Sequence, residues 1–393
     1  MAKILFALSV IFLHFVIVRI GDFPLTLGAV LGTVAVLRVA LRGVVGTAVG
    51  VTSVWVIYSC IVYFLNPDLV TQEDFVQTLL LSSAAVFIGV SSVVGAGKTQ
   101  HYSGTARLLL WGLSILGVIQ YISASMNNPL LYNLWGDRQA FYEYEVRLGA
   151  DARATGLYLE PAFFALVLGV LMCIAIADGA SFKSYLLPAL AGMLSTQSAS
   201  GLGTTLVLLA VVTFSKQGTG LGSSKRLAWT LLGGFLFAFV SWDYLGRRIA
   251  SADTPGSSAY YRLVGPQEVL RWILLENPLG APLGSIQKVV GSFQIVMAGV
   301  VGTSLDNGLY VVVYYMGWIG LVSLLWLGWL SARPLLERAP IEDFIRPLAL
   351  LLFLLFTGSV FTLEFAVLVG FLFMQRNRAD SQARAVRDTD TNG

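Results

Sequence analysis

Long apolar runs separated by short polar breaks dominate the chain. A helix needs ~20 apolar residues to cross a ~30 Å hydrocarbon core. Runs at 4–19, 24–41, 45–65, 75–95, 107–126, 157–177, 184–198, 201–215, 227–245, 305–331, 346–361 and 363–375 predict about twelve spanning helices. The runs are continuous, whereas the strands of a membrane barrel alternate apolar and polar positions. The first run follows Lys3 and lacks a small-residue cleavage site before Arg19, so it reads as an uncleaved anchor. The pairs within 184–215 and 346–375 are short for two crossings each. Their Ser/Gly-rich or Glu-containing bends suit helices that line a protein cavity rather than lipid. A single kinked helix is the plain alternative for each pair.

Composition agrees with the pattern. The chain has 393 residues, 56% of them apolar and 12% charged, against about 25% charged in a soluble domain. So little charge excludes a soluble enzyme, a disordered chain and a secreted disulfide scaffold. The predicted fold class is all-α: a polytopic integral membrane protein occupying 1–375, with a disordered basic cytoplasmic tail at 376–393. Cys60 and Cys173 lie in apolar runs and read as small buried hydrophobes. His14 and His101 are too few for a His-rich zinc site. No metal site is expected, and no basic run suggests nucleic acid.

Basic residues set the orientation. With the N-terminus inside, 16 of the 25 Lys and Arg residues fall on the cytoplasmic side. The short outer connections are almost free of positive charge. Two long outer loops, about 127–156 and 246–304, carry the polar chemistry. Within the second, 265–275 has the spacing of an amphipathic surface helix.

The candidate chemistry clusters at the outer boundary. Arg153 precedes a predicted helix, and Glu160-Pro161 follows in its first turns. An arginine beside a helix N-terminus suits an anion such as pyrophosphate; the alternative is an Arg153–Glu160 ion pair that only holds the helix. Ser257 to Arg262 offers Tyr260 and Tyr261 to stack on sugars and Arg262 to fork phosphate oxygens; the alternative is an interfacial aromatic belt. Arg271 lies on the surface helix. Asp306 opens the next apolar run, either as an ordinary N-cap or as a carboxylate that takes a proton from a sugar hydroxyl. Glu364 sits at the last outer turn. These groups fit a lipid-linked anionic substrate without naming one.

Four segments carry a resemblance: Arg-Ala-Thr-Gly-Leu-Tyr-Leu-Glu-Pro-Ala-Phe-Phe-Ala (153–165), Gly-Ser-Ser-Ala-Tyr-Tyr-Arg-Leu-Val-Gly-Pro (256–266), Leu-Asp-Asn-Gly-Leu-Tyr (305–310) and Phe-Thr-Gly-Ser-Val-Phe (356–361). In order and spacing they resemble the colanic acid polymerase branch of the Wzy-type polysaccharide polymerases. The related O-antigen ligases look similar. The resemblance implies a GT-C-like fold, metal-independent glycosyl transfer and no cofactor. It implies a site on the periplasmic face of the bacterial inner membrane, with both termini cytoplasmic. The substrates would be repeat units on undecaprenyl pyrophosphate, the growing glycan passing to the next unit with inversion. A chain-length regulator and a flippase are the implied partners, beside membrane lipid.

By motif position, Arg153 and Arg262 look like the pyrophosphate-holding arginines of the ligases, with Arg271 in support. The ligases' His-Asn pair reads Asp306-Asn307 here, which favours a polymerase-type site. Asp306 is then the first candidate base and Glu160 the second, with Tyr260, Tyr261, Asn307 and Tyr310 toward the glycan. A ligase and a lipid-linked oligosaccharide flippase are the rival readings. Mid-membrane charges and inverted repeats would mark the flippase.

Overall fold

The computed structural model describes residues 2–20, 23–40, 45–95, 102–126, 153–178, 180, 182–214, 246, 250–251, 253–297, 300–302, 304–337, 339, 341–355 and 357–374. The expected helix at 227–245, most of the first long loop and the basic tail lie outside these residues.

The described chain is a helical bundle with two small hairpins. In order come α1 (Ala2–Ile11), β1 (Val16–Ile20), β2 (Phe23–Thr26), α2 (Leu27–Ala40), α3 (Val45–Leu65), α4 (Gln72–Val94) and α5 (Ser103–Ser125). Then follow α6 (Pro161–Ala177), α7 (Phe182–Thr196), α8 (Ala199–Phe214), α9 (Ser258–Leu263), α10 (Pro266–Glu276) and α11 (Ile286–Ser292). The hairpin β3 (Val296–Met297) and β4 (Val300–Val301) leads to α12 (Gly308–Leu336), α13 (Ile341–Phe353) and α14 (Leu363–Met374).

Helix α6 is the axle. Every residue from Pro161 to Ala177 is buried. A helix apolar on all sides belongs inside a bundle, and α5, α7, α8, α13 and α14 pack around this one. The outer helices show apolar side chains instead, such as Val54, Ile57 and Phe64 on α3 and Val322, Leu325 and Trp326 on α12. Among the described residues four helices, α3, α4, α5 and α12, are long and apolar enough to cross a bilayer. The other apolar helices run 10–17 residues.

One expectation changes and another holds. The 4–19 run is not one helix: α1 stops at Ile11, and Val16–Ile20 pairs antiparallel with Phe23–Thr26. Val-Ile-Val-Arg-Ile is rich in β-branched residues, which lose rotamer freedom in a helix and fit a strand. The pair at 184–215 does break, at Gln197 and Ser198 between α7 and α8.

The second long loop is a folded cap with its own core. Val269 and Ile273 of α10, Val289 and Val290 of α11, and Ile295 pack with Trp55, Phe75, Tyr314 and Tyr315 of the long helices. A kink in α12 locks the cap in place. Gly317 has φ 52°, a conformation open to glycine and costly for other residues. The kink frees two backbone groups, and the loop after α10 satisfies both. Ala281 N–H donates to the Tyr314 carbonyl at 2.8 Å, and Trp318 N–H donates to the Pro278 carbonyl at 3.0 Å. Tyr58 of α3 donates to the Leu279 carbonyl, and Lys288 donates to the Asp68 carbonyl. The cap is thereby held on the 66–71 end of the bundle.

Candidate functional site

The site forms where the cap meets the N-terminal end of α6. Residues 153–160 approach α6 as a strap fixed along its length. Ala154 N–H donates to the Ser195 carbonyl at 2.8 Å. The Gln120 side chain pairs with both backbone groups of Gly156, donating to its carbonyl at 2.8 Å and accepting its N–H at 2.7 Å. Gly156 has φ 60°, and a Cβ there would press on the Phe164 ring. Tyr158 Oη donates to the Val10 carbonyl at 2.9 Å. Leu159 N–H donates to His14 Nδ1 at 3.1 Å. The strap ends on Glu160, the N-cap residue of α6; its side chain makes no capping bond, and Pro161 follows. Proline at the first helical position needs no N–H partner, and the Glu160 carboxyl is not engaged in capping.

The cap supplies the facing groups. In α9, the Ser257 hydroxyl accepts the Tyr260 N–H and starts a helix that ends near Arg262. Arg262 Nε lies 3.7 Å from Asp306 Oδ2. That is an ion pair, too long for a hydrogen bond. Arg262 Nε is buried and has no hydrogen-bond partner among the described residues. Ser304 Oγ donates to Asp306 Oδ1 at 2.9 Å.

Glu160 closes the constellation. Protein atoms crowd its carboxyl, although its edge stays accessible, and the lost hydration raises it above its ordinary pKa. Arg262 lowers it, Asp306 raises it again and Arg153 lowers it, so all three lie within electrostatic reach. Two arginines and a second carboxylate thus lie within electrostatic reach of Glu160, and Arg262 and Asp306 are paired. Two partly exposed arginines in electrostatic reach of one carboxyl suit a polyanion such as pyrophosphate. A carboxyl with raised proton affinity beside them suits proton acceptance. Among the described residues no three of His, Cys, Asp and Glu group as a metal cage.

The remaining candidates fall differently. Arg271 is exposed on α10, whose buried face carries Val269 and Ile273. Tyr261 is 2% exposed, so its ring cannot serve as the open sugar platform expected of it. Its hydroxyl instead donates to the Ser304 carbonyl and accepts the Ser304 N–H, next to the Asp306 contact. Tyr260 stays partly open. Asn307, rather than Asp306, caps α12: its Oδ1 accepts the Leu309 N–H at 3.0 Å, and it is 4% exposed. Asn307 is therefore committed to the helix, and Asp306 is free for Arg262. Tyr310 Oη donates to the Leu263 carbonyl at 2.8 Å, tying α12 to the cap. Glu364 accepts from Thr26 Oγ1 at 3.0 Å and joins the first hairpin to α14. The strap's holders, Gln120 and His14, were missed in the sequence. A lone glutamine inside an apolar run was the available signal, because a buried amide must find partners.

Comparison with known proteins follows this geometry. The family described as WcaD colanic acid polymerase matches residues 1–378. A protein of Escherichia coli (strain K12) titled "Putative colanic acid polymerase" is 32% identical over 232 residues. The matched stretch spans 57% of this chain and 57% of that relative. No solved structure matches the chain.

Proposed function

The chain belongs to the WcaD colanic acid polymerase family, and from that premise we propose that it joins polysaccharide repeat units carried on a polyprenyl pyrophosphate. The observation that carries this reading is the Arg262–Asp306 pair at 3.7 Å, with Glu160 at the head of α6 in electrostatic reach of both and of Arg153.

Pyrophosphate is already a good leaving group. The enzyme's main task is to stabilise the charge that grows on it as the anomeric bond breaks. Arg262, whose Nε makes no hydrogen bond with the described protein, and Arg153 do this. One preorganised donor of this kind is worth on the order of 10²–10³ in rate. The acceptor hydroxyl of the next repeat unit loses its proton as it attacks. Glu160 is the better base of the two carboxylates. Its raised proton affinity brings it nearer the working pH, where a general base is most effective. Asp306, held by Ser304 and paired with Arg262, orients the arginine. A single displacement from the opposite face inverts the anomeric carbon. Tyr260 and Tyr310 border the glycan side.

The basic-residue bias of the sequence supports a site on the periplasmic face of the inner membrane, with the termini inside. The outward apolar faces of α3 and α12 meet lipid.

The test is a strain lacking this gene with repeat-unit synthesis intact, its lipid-linked and surface glycans resolved on a gel. Single repeat units, restored to long polymer by the wild type and not by Arg262→Ala, support the reading. Intact polymer held on the carrier points to a ligase. Units trapped on the cytoplasmic side point to a flippase and overturn it.

A further inference from the structure

We propose that Gln120 is a positioning residue for the transfer, setting the distance between Arg153 and Glu160 by clamping Gly156 between them. The inference rests on the polymerase reading for its activity readout, and on the strap's geometry for the rest. Arg153 and Glu160 stand at opposite ends of 153–160. Between them Gly156 takes a left-handed conformation, φ 60°, so its rotation sets how the segments tied at Ala154 and Leu159 lie relative to each other.

Gln120 meets both polar groups of that residue with one planar amide, at 2.8 and 2.7 Å. It is fully buried within α5. Two parallel bonds from one rigid plane fix orientation as well as distance. Gly117, one turn earlier on the same helix, faces the Phe164 ring and the Ser195 hydroxyl, where a Cβ would not fit. The α5 backbone therefore sits close under the strap, and the amide reaches Gly156 directly. Both of these bonds go to the backbone of Gly156, so this part of its effect passes through the backbone.

A misplacement of about 1 Å in a reacting group can cost 10²-fold in rate. Gln120→Met keeps the length and loses both bonds. It should lower kcat per folded molecule by roughly that factor, measured well below the melting temperature, which the two lost buried bonds will also lower. It should also weaken the protein's affinity for inorganic pyrophosphate, since Arg153 moves as well. Gln120→Glu supplies the sharper signature. Ionised, it accepts the Gly156 N–H but repels the Gly156 carbonyl. Protonated, its O–H donates to that carbonyl as the amide did. Its rate relative to the wild type at each pH should therefore climb as pH falls.

The experiment measures initial polymerisation rates across pH, inorganic pyrophosphate binding and thermal melting for wild type, Gln120→Met and Gln120→Glu. A kcat loss per folded molecule, with pH recovery in Gln120→Glu, supports the proposal. Wild-type kcat in Gln120→Met, or a loss that tracks the folded fraction, overturns it. If the wild type itself makes no polymer, the polymerase reading fails. The clamp is then judged by pyrophosphate affinity: weaker in Gln120→Met supports it, unchanged overturns it.

Discussion

Arg262 Nε stands 3.7 Å from Asp306 Oδ2, close enough to attract and too far to saturate either group. The pair holds the guanidinium in place on its buried Nε side, while the rest of the side chain stays partly exposed. Arg262→Lys keeps the charge and loses the planar fork. It should fall by on the order of 10²-fold in polymer formation, while Asp306→Asn, which keeps an acceptor near Arg262, should lose less. Gel analysis of glycans in membranes with matched protein levels checks the order. Equal loss in both variants would return Asp306 to the role of base.

Glu160 links chemistry to stability. Its folded pKa is raised, first by desolvation, so the native state binds its proton more tightly than the unfolded chain. Stability from this group is greatest at low pH and falls as pH rises from the ordinary carboxylate value through the raised one. Glu160→Gln should therefore melt higher than the wild type at neutral pH, and the gain should shrink toward pH 4. The same variant should form no long polymer. Melting curves in detergent at several pH values test the sign. A variant that melts lower at neutral pH would show that the carboxylate is held by its arginines more strongly than burial opposes it.

The helices were legible and the site's supports were not. The 45–65 run became Val45–Leu65, because a long apolar stretch bounded by polar breaks leaves helix as the structure that satisfies its own backbone. The 4–19 run failed because apolarity alone does not separate helix from strand. Arg153, Glu160, Arg262 and Asp306 were visible as costly charges at helix ends. Their meeting was not, since it depends on how the cap folds over α6. Asn307 and Asp306 exchanged duties because either residue type caps a helix, and the choice is settled by which carbonyls and amides lie nearby.

Tyr261 acts at one remove from the charges. Its hydroxyl bonds both backbone groups of Ser304, whose side chain holds Asp306. Tyr261→Phe keeps the buried ring and loses the two bonds. A net loss of about 1 kcal/mol is expected for one such bond, with a severalfold drop in rate and little change in substrate KM. Tyr260→Ala should do the reverse, raising KM for the repeat unit at near-normal stability. Steady-state kinetics with purified lipid-linked substrate separates them. A matching rise in KM for Tyr261→Phe would show that its ring reaches substrate after all.

Gly317 tests whether the cap is part of the catalytic unit. Alanine there must hold φ near 52°, at a cost of about 1–3 kcal/mol, and its Cβ would overlap the Pro278 carbonyl. Straightening α12 would relieve the strain, but it would break the Ala281–Tyr314 and Trp318–Pro278 bonds that seat the cap. Arg262 travels with the cap, while Arg153 and Glu160 stay with α6. Gly317→Ala should therefore insert and melt within a few degrees of wild type in the bundle, yet lose polymer formation and show faster amide exchange across 258–295. Hydrogen exchange read by mass spectrometry checks this. Full polymer length with a loosened cap would mean that Arg262 is dispensable, and the pyrophosphate would then rest on Arg153 alone.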